Sequence, residues 1–184
     1  MLQSQPPPVK PEPMRLPFAL LLSTLPALVS AQSTPLPAWV HPDAGARTVT
    51  LELVAGRSAG AQGADLSGVA RGEVQVVVPK GWTVRLEWRN DDSTAHSFIV
   101  QQEREKLPER AGEPAFLYAY SRIPVAGMAP GRTDHTQFVV DSPGWYWILC
   151  GVPGHAIGGE YISFRVDPAA TAVSAIVKSA PQQD

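Results

Sequence analysis

Between positions 82 and 90, hydrophobic and polar residues alternate without a break. Trp82, Val84, Leu86 and Trp88 fall on one side, and Thr83, Arg85, Glu87 and Arg89 on the other. Successive residues of a strand point to opposite faces, so this stretch predicts a half-buried strand of an antiparallel sheet. Residues 47–54 (RTVTLELV) alternate well enough for another, and 73–79 read as a third, joined to the stretch at Trp82 by a Pro79-Lys80-Gly81 hairpin turn. Residues 96–101 put His96, Phe98 and Val100 on one face, and 133–141 supply a further strand. After Gly144 both faces are apolar, with Trp145, Trp147 and Leu149 on one and Tyr146, Ile148 and Cys150 on the other. That is the pattern of a central strand covered on both sides. In the next strand Ile162, Phe164 and Val166 form the core side, while Tyr161, Ser163, Arg165 and Asp167 face away. With 115–120 as a short strand or helical turn, seven or eight strands result, at the spacing of an all-β sandwich or barrel.

Turn-forming clusters separate these elements: NDDST at 90–94, a Gly/Pro loop at 123–132, and Ser142-Pro143-Gly144. Residues 56–72 carry five glycines and read as a long loop. Residues 102–114 are charged and mixed in sign, the composition of a solvated crossover. The expected organisation is a single β domain at 47–167. An irregular lead-in at 32–46 precedes it, anchored by Trp39, and a flexible C-terminal tail at 168–184 follows. No internal repeat and no long amphipathic helix is visible.

Composition narrows the picture. With 184 residues, 44% of them hydrophobic and 17% charged, the chain can bury one real core. A net charge of −2 gives no electrostatic case for nucleic acid or an anionic membrane as partner. Arg15 is followed by an apolar run at 16–29 (LPFALLLSTLPALV), too short to span a bilayer but suited to the core of a signal peptide. Val29-Ser30-Ala31 offers small residues for cleavage, so 1–31 is expected to be a signal peptide. Residues 1–13 are polar and Pro-rich, which makes Met14 a candidate true start. The expected product is an exported monomer of the periplasm or cell envelope, with no transmembrane span after cleavage. Cys150 is the one cysteine; in an oxidising compartment a lone thiol is a liability unless it is buried or bound to something.

Cys150 ends a predicted strand, and His155 lies five residues on in the Gly/Pro loop VPGHAIGG. A thiolate and an imidazole held this close suit a soft or borderline metal such as copper. His96, at the head of an inward-facing row, would complete a plane of two histidines and one cysteine. His135 sits mid-strand beside polar residues, and His41 in the lead-in has no supporting partner in the sequence. If the last long strand begins at Glu160, that carboxylate points inward toward Cys150 and His155, an odd place for a charge unless a cation waits there. The Gly158-Gly159 pair leaves the other reading open, in which Glu160 turns to solvent. The same donor set could also hold zinc.

The stretches VVVPKGWTVRLEWRNDDSTAHSF (76–98) and GWYWILCGVPGHAIGGEY (144–161) resemble the cupredoxin family of blue-copper proteins, and more closely its sulfocyanin-like branch. The resemblance implies an eight-stranded Greek-key β-sandwich with one copper ion at one end, bound by His96, Cys150 and His155. It also implies that Ser97 pins the ligand loops by hydrogen bonding. The chain departs from the family pattern five residues after the loop histidine, where Glu160 stands in place of methionine; Met128 reads as packing. The expected function is single-electron transfer to redox-partner proteins that dock transiently on Val152, Pro153 and Ile157, with Val125 and Met128 beside them. Two alternatives stand beside it: a red-copper-like site with a Glu160 ligand that binds a small molecule or does redox chemistry, and a copper chaperone or store. The second predicts Met- or His-rich tracts, which the chain lacks. There is no His-x-His pair for a multicopper oxidase and no second cysteine for a dinuclear site.

Overall fold

A computed structural model describes residues 35–56 and 65–178. The expected signal peptide at 1–31 lies outside the described residues. The strands are β1 (Val40–Asp43), β2 (Thr48–Ala55), β3 (Val74–Pro79), β4 (Thr83–Asn90), β5 (Ile99–Gln102), β6 (Thr133–Val139), β7 (Gly144–Leu149), β8 (Tyr161–Asp167) and β9 (Ser174–Val177), with a single helical turn, α1 (His155–Gly158), before β8. They form a four-stranded sheet, β1-β2-β4-β6, and a five-stranded sheet, β5-β7-β8-β3-β9. One hydrophobic core lies between the sheets. Leu51, Leu53, Val84, Leu86 and Phe138 enter it from one side and Val76, Val78, Phe98, Ile148, Ile162 and Phe164 from the other. This is the all-β sandwich that the alternation predicts.

The topology corrects several local expectations. Pro79-Lys80-Gly81 does not close a hairpin, because β3 and β4 belong to different sheets. All of β3 is buried, as suits an interior strand, and it pairs with β8 in parallel and with β9 antiparallel. The turn after it is bound to both sheets, through Lys80 N–H to the Asp167 carbonyl and Gly81 N–H to the Val140 carbonyl. β4 does alternate between buried and exposed residues, yet it runs antiparallel only to β6 and parallel to β2, from Thr48 opposite Thr83 to Ala55 opposite Asn90. Among the described residues only β1–β2 and β7–β8 are neighbours both in sequence and in a sheet.

Among the described residues the strand count is nine rather than seven or eight, because the lead-in and the tail each contribute one. β1 caps the edge of β2, and β9 covers the edge of β3 whose N–H and C=O groups would otherwise face water. The expectation of a flexible tail at 168–184 therefore fails for Ser174–Val177, and that of an irregular lead-in fails for Val40–Asp43. Residues 115–120 form turns rather than a named strand, tied in by an isolated bridge from Tyr120 to Ile99.

β7 lies between β5 and β8 and is covered on both faces. On its outer face Ile99, Trp147, Leu149 and Ala156 form a second, smaller cluster, against which Leu107, Ala111 and Tyr161 pack. The charged excursion at 102–114 is thus more than a solvated crossover. Its apolar residues roof β5 and β7 beside the loop that carries His155.

Candidate metal centre

The β7–β8 ladder ends with Leu149 opposite Tyr161. Cys150 and Glu160 are the next residues on either side, and Cys150 N–H donates to the Glu160 carbonyl at 3.0 Å. Strand parity turns both side chains inward at one end of the sandwich, and both are fully buried. Between them, Gly154 adopts a left-handed conformation and α1 begins, with His155 as its first residue. The Glu160 N–H returns to the His155 carbonyl at 3.0 Å, which closes the loop on itself. His96 comes from the segment between β4 and β5, just ahead of β5, the strand beside β7, and its backbone N–H and C=O both pair with Met128.

The structure brings His96, Cys150, His155 and Glu160 together, with one potential ligand atom of each within 4.8 Å of all the others. Cys150 Sγ lies 3.5 Å from His155 Nδ1 and 3.9 Å from His96 Nδ1. Both Glu160 oxygens lie 2.8 Å from His96 Nδ1, and Oε2 lies 3.1 Å from His155 Nδ1. His96, Cys150 and Glu160 are 1%, 0% and 0% exposed, and the His155 side chain is 29% exposed. The centre therefore meets solvent at the His155 ring.

At these distances the two imidazoles and the thiol shift one another. Burial disfavours the charged form of His96, but the Cys150 thiol, Glu160 and Asp92 outweigh it and hold its pKa up at about 10. His155 is pushed up to about 9, first by Cys150 and then by Glu160, against its own burial. Burial raises the Cys150 thiol, yet the hydrogen bonds to His155 and His96 prevail and its pKa is lowered. A thiol whose pKa is lowered and a fully buried carboxyl group thus share one pocket with two imidazoles whose pKa values are raised.

Ser97 lies behind the donors. Its Oγ–H donates to the Pro124 carbonyl at 2.7 Å and accepts from Gly151 N–H at 2.9 Å, while its own N–H points at Cys150 Sγ at 3.4 Å. One hydroxyl thereby joins the His96 segment, the 123–132 loop and the residue after Cys150. Gly151 has no room for a side chain, since a Cβ there would stand 2.5 Å from Pro124 O and 2.6 Å from Ala111 Cβ. In the loop that carries His155, Pro153 and Ile157 are exposed and Val152 is partly exposed; Ile123 and Val125, in the loop that Ser97 ties to Gly151 through the Pro124 carbonyl, are exposed too. Met128 is different: it is 5% exposed and belongs to the main core, so it is not part of a docking surface. His135 is exposed on β6, far in the chain's pairing scheme from the donors, and His41 meets Glu52 at 3.5 Å, a partner the sequence did not suggest.

Sequence reasoning treated NDDST only as a turn. The structure gives it a role: Asp92 Oδ2 lies 2.7 Å from His96 Nε2, and His96 in turn holds the Asp92 carboxyl down at about 2. The available signal was a carboxylate four residues ahead of a candidate ligand histidine.

The sulfocyanin (SoxE) domain profile matches residues 37–177. The chain belongs to that family. Sulfocyanin from Sulfolobus acidocaldarius is 24% identical over 138 residues, which span 71% of this chain and 69% of the relative. Among solved structures, dithionite-reduced auracyanin from Roseiflexus castenholzii is 19% identical, covering 65% of this chain and 97% of its own, with a TM-score of 0.47. Rusticyanin from Thiobacillus ferrooxidans is 22% identical, covering 66% and 82%, with a TM-score of 0.43. The chain is a sulfocyanin-like cupredoxin with a two-sheet β-sandwich fold.

The donor set of this sulfocyanin-like protein fits one copper ion. Ligand atoms bound to one metal at about 2.0–2.3 Å stand roughly 3.3–3.6 Å apart in a tetrahedral set, and the thiol-to-imidazole distances are close to that spacing. The carboxylate-to-imidazole distances are shorter, at hydrogen-bond length. One thiolate with two imidazoles is the set that suits copper, and a fully buried carboxylate beside them calls for a cation. No helix among the described residues is long and apolar enough to cross a membrane.

Proposed function

We propose that this sulfocyanin-like protein is exported and carries single electrons between redox partners in the cell envelope, with His96, Cys150, His155 and Glu160 as the copper ligands. The observation that carries this reading is the sealing of the donor set. Three of its four side chains are essentially inaccessible, and the fourth, His155, is partly exposed in a loop whose Pro153 and Ile157 face solvent. Such a site admits an electron more readily than a substrate.

Copper, when bound, supplies the one-electron Cu(II)/Cu(I) couple. The residues of this chain hold the donors still for it. Cys150 and Glu160 flank the end of a paired ladder, Ser97 ties three segments together, and Asn90 Nδ2 clamps the turn before His96 to the Met128 carbonyl at 2.9 Å. A donor set fixed by its surroundings has little to rearrange when the charge at its centre changes by one. Glu160 replaces the usual soft thioether with an anionic oxygen, which favours Cu(II) and lowers the reduction potential. The exposed apolar residues of the His155 loop, Val152, Pro153 and Ile157, with Ile123 and Val125 in the loop tied to it, suit a small, transient docking surface. Export is supported by the Arg15–Ala31 sequence pattern and by the burial of the one cysteine.

A second reading, a red-copper-like site that takes a small molecule, is favoured by Glu160 itself. Voltammetry of the copper-loaded chain with and without added azide separates the two. The carrier reading expects a reversible one-electron wave and a visible spectrum unmoved by azide. A spectrum that shifts on adding azide would assign the site to small-molecule binding.

A further inference from the structure

We propose that Asp92 is a positioning residue of the metal centre: it fixes His96 with Nδ1 toward the donor cluster and, through the ring, biases the site toward Cu(II). This rests on the copper reading above. The ring of His96 has two distinct sides. Nδ1 lies 2.8 Å from Glu160 and 3.9 Å from Cys150 Sγ, while Nε2 lies 2.7 Å from Asp92 Oδ2 and 3.0 Å from Thr94 Oγ1. A ring that offers a lone pair to a metal through Nδ1 must carry its proton on Nε2. A carboxylate, which only accepts, is the partner that enforces this arrangement and makes the ring a stronger donor.

Asp92 is itself held from several directions. Ser93 N–H donates to Oδ1 at 2.7 Å and the Thr94 hydroxyl donates to Oδ2 at 2.9 Å, while Asp92 N–H donates to Asn90 Oδ1 at 2.9 Å. Asn90 is fully buried and donates to the carbonyls of Thr94 and Met128. The turn also sits hard against Gly56, at φ 77, where a Cβ would stand 2.5 Å from Asp92 Cβ. A Cβ at 56 would force one of the two segments to shift. These contacts set one side chain in one place, and that place is the far side of a ligand ring. An asparagine there would keep an acceptor at the same distance without the charge, so geometry and charge can be tested apart.

The experiment uses the full chain and its Asp92→Asn and Asp92→Ala variants. Cu(II) and Cu(I) affinities are measured by chelator competition, the reduction potential by voltammetry, and the His96 Nε2–H by proton NMR of the diamagnetic Cu(I) form. Outer-shell partners of metal-bound histidines are typically worth about 10–100-fold in affinity. Asp92→Asn is expected to bind Cu(II) about tenfold more weakly with Cu(I) affinity within about twofold, and so to raise the potential by about 59 mV for a one-electron couple. Its visible spectrum keeps its shape and its Nε2–H stays protected. Asp92→Ala is expected to lose Cu(II) affinity further and to lose the protected Nε2–H signal. An unchanged ratio of Cu(II) to Cu(I) affinity in both variants, each binding copper one to one, overturns the role of Asp92 alone. A wild-type chain that takes up no copper overturns the carrier reading and this inference with it.

Discussion

Ser97→Ala is the substitution whose cost is best defined by the structure. Ser97 is fully buried, and its hydroxyl serves a donor, Gly151 N–H, and an acceptor, the Pro124 carbonyl. Alanine removes one oxygen and leaves both groups without that partner. An unsatisfied buried group costs about 1–3 kcal/mol. The Gly151 N–H is buried and bears the full penalty, while Pro124 is partly exposed and bears less, so the expected loss is about 2–4 kcal/mol. In a chain of this size that lowers Tm by roughly 4–16 °C. Urea unfolding of the metal-free protein reads the loss as a lower midpoint at unchanged slope. Ser142→Ala is the control, since its hydroxyl bonds only Asp141 at the surface, and it is expected to stay within about 0.5 kcal/mol of wild type. If Ser97→Ala matches that control, the hydroxyl does not tie the ligand loops together.

Three further outcomes follow from the packing and the charges. Gly151→Ala places a Cβ against Pro124 O and Ala111 Cβ and should cost about 1–3 kcal/mol in urea unfolding by overpacking; a neutral result means the loop yields. Trp147→Ala, in the cluster on the outer face of β7, should cost about 3–5 kcal/mol. Trp145→Ala, half exposed with Arg165 4.8 Å from its ring centre, should cost about 1 kcal/mol or less, and equal losses would mean the two faces are misassigned. In the metal-free protein, His96 at about 10 and His155 at about 9 lie above the ordinary imidazole value of 6.5. Their stabilisation is complete below pH 6.5 and is lost as pH rises through 9–10, because the unfolded chain has already released those protons. The lowered Cys150 thiol works the other way as pH rises toward its ordinary 9.0. Two imidazoles outweigh one thiol, so the urea midpoint should fall between about pH 7 and 9; a rising midpoint contradicts the charge assignment.

Much of the fold could be read from periodicity because burial imposes it directly. The alternation from Trp82 to Arg89 is the burial pattern of β4, and the doubly apolar β7 is central in its sheet. Which strands pair could not be read that way. A turn such as Pro79-Lys80-Gly81 has the same local chemistry whether the chain folds back within a sheet or crosses to the other one, and here it crosses. β9 is composed of Ser174, Ala175, Ile176 and Val177 in a run of small residues, and it becomes a strand because the edge of β3 offers it unpaired backbone groups. At the site, Cys150, His155 and Glu160 were legible because they lie within eleven residues and because Cys150 and Glu160 extend the parity of two adjoining strands. Asp92 was not, because its role depends on the orientation of the His96 ring, which no spacing encodes.

The measurement that bears most directly on the central claim is the visible absorption spectrum of the Cu(II)-loaded chain beside that of Cys150→Ser. The account predicts an intense thiolate-to-copper absorption in the wild type that vanishes in the variant. Its dominant band should lie at the higher energy of a red or green site, since Glu160 adds a fourth, anionic ligand and draws the geometry away from trigonal. An intensely blue wild type would place Glu160 outside the coordination sphere, and the same weak spectrum from both proteins would contradict a copper–thiolate centre altogether.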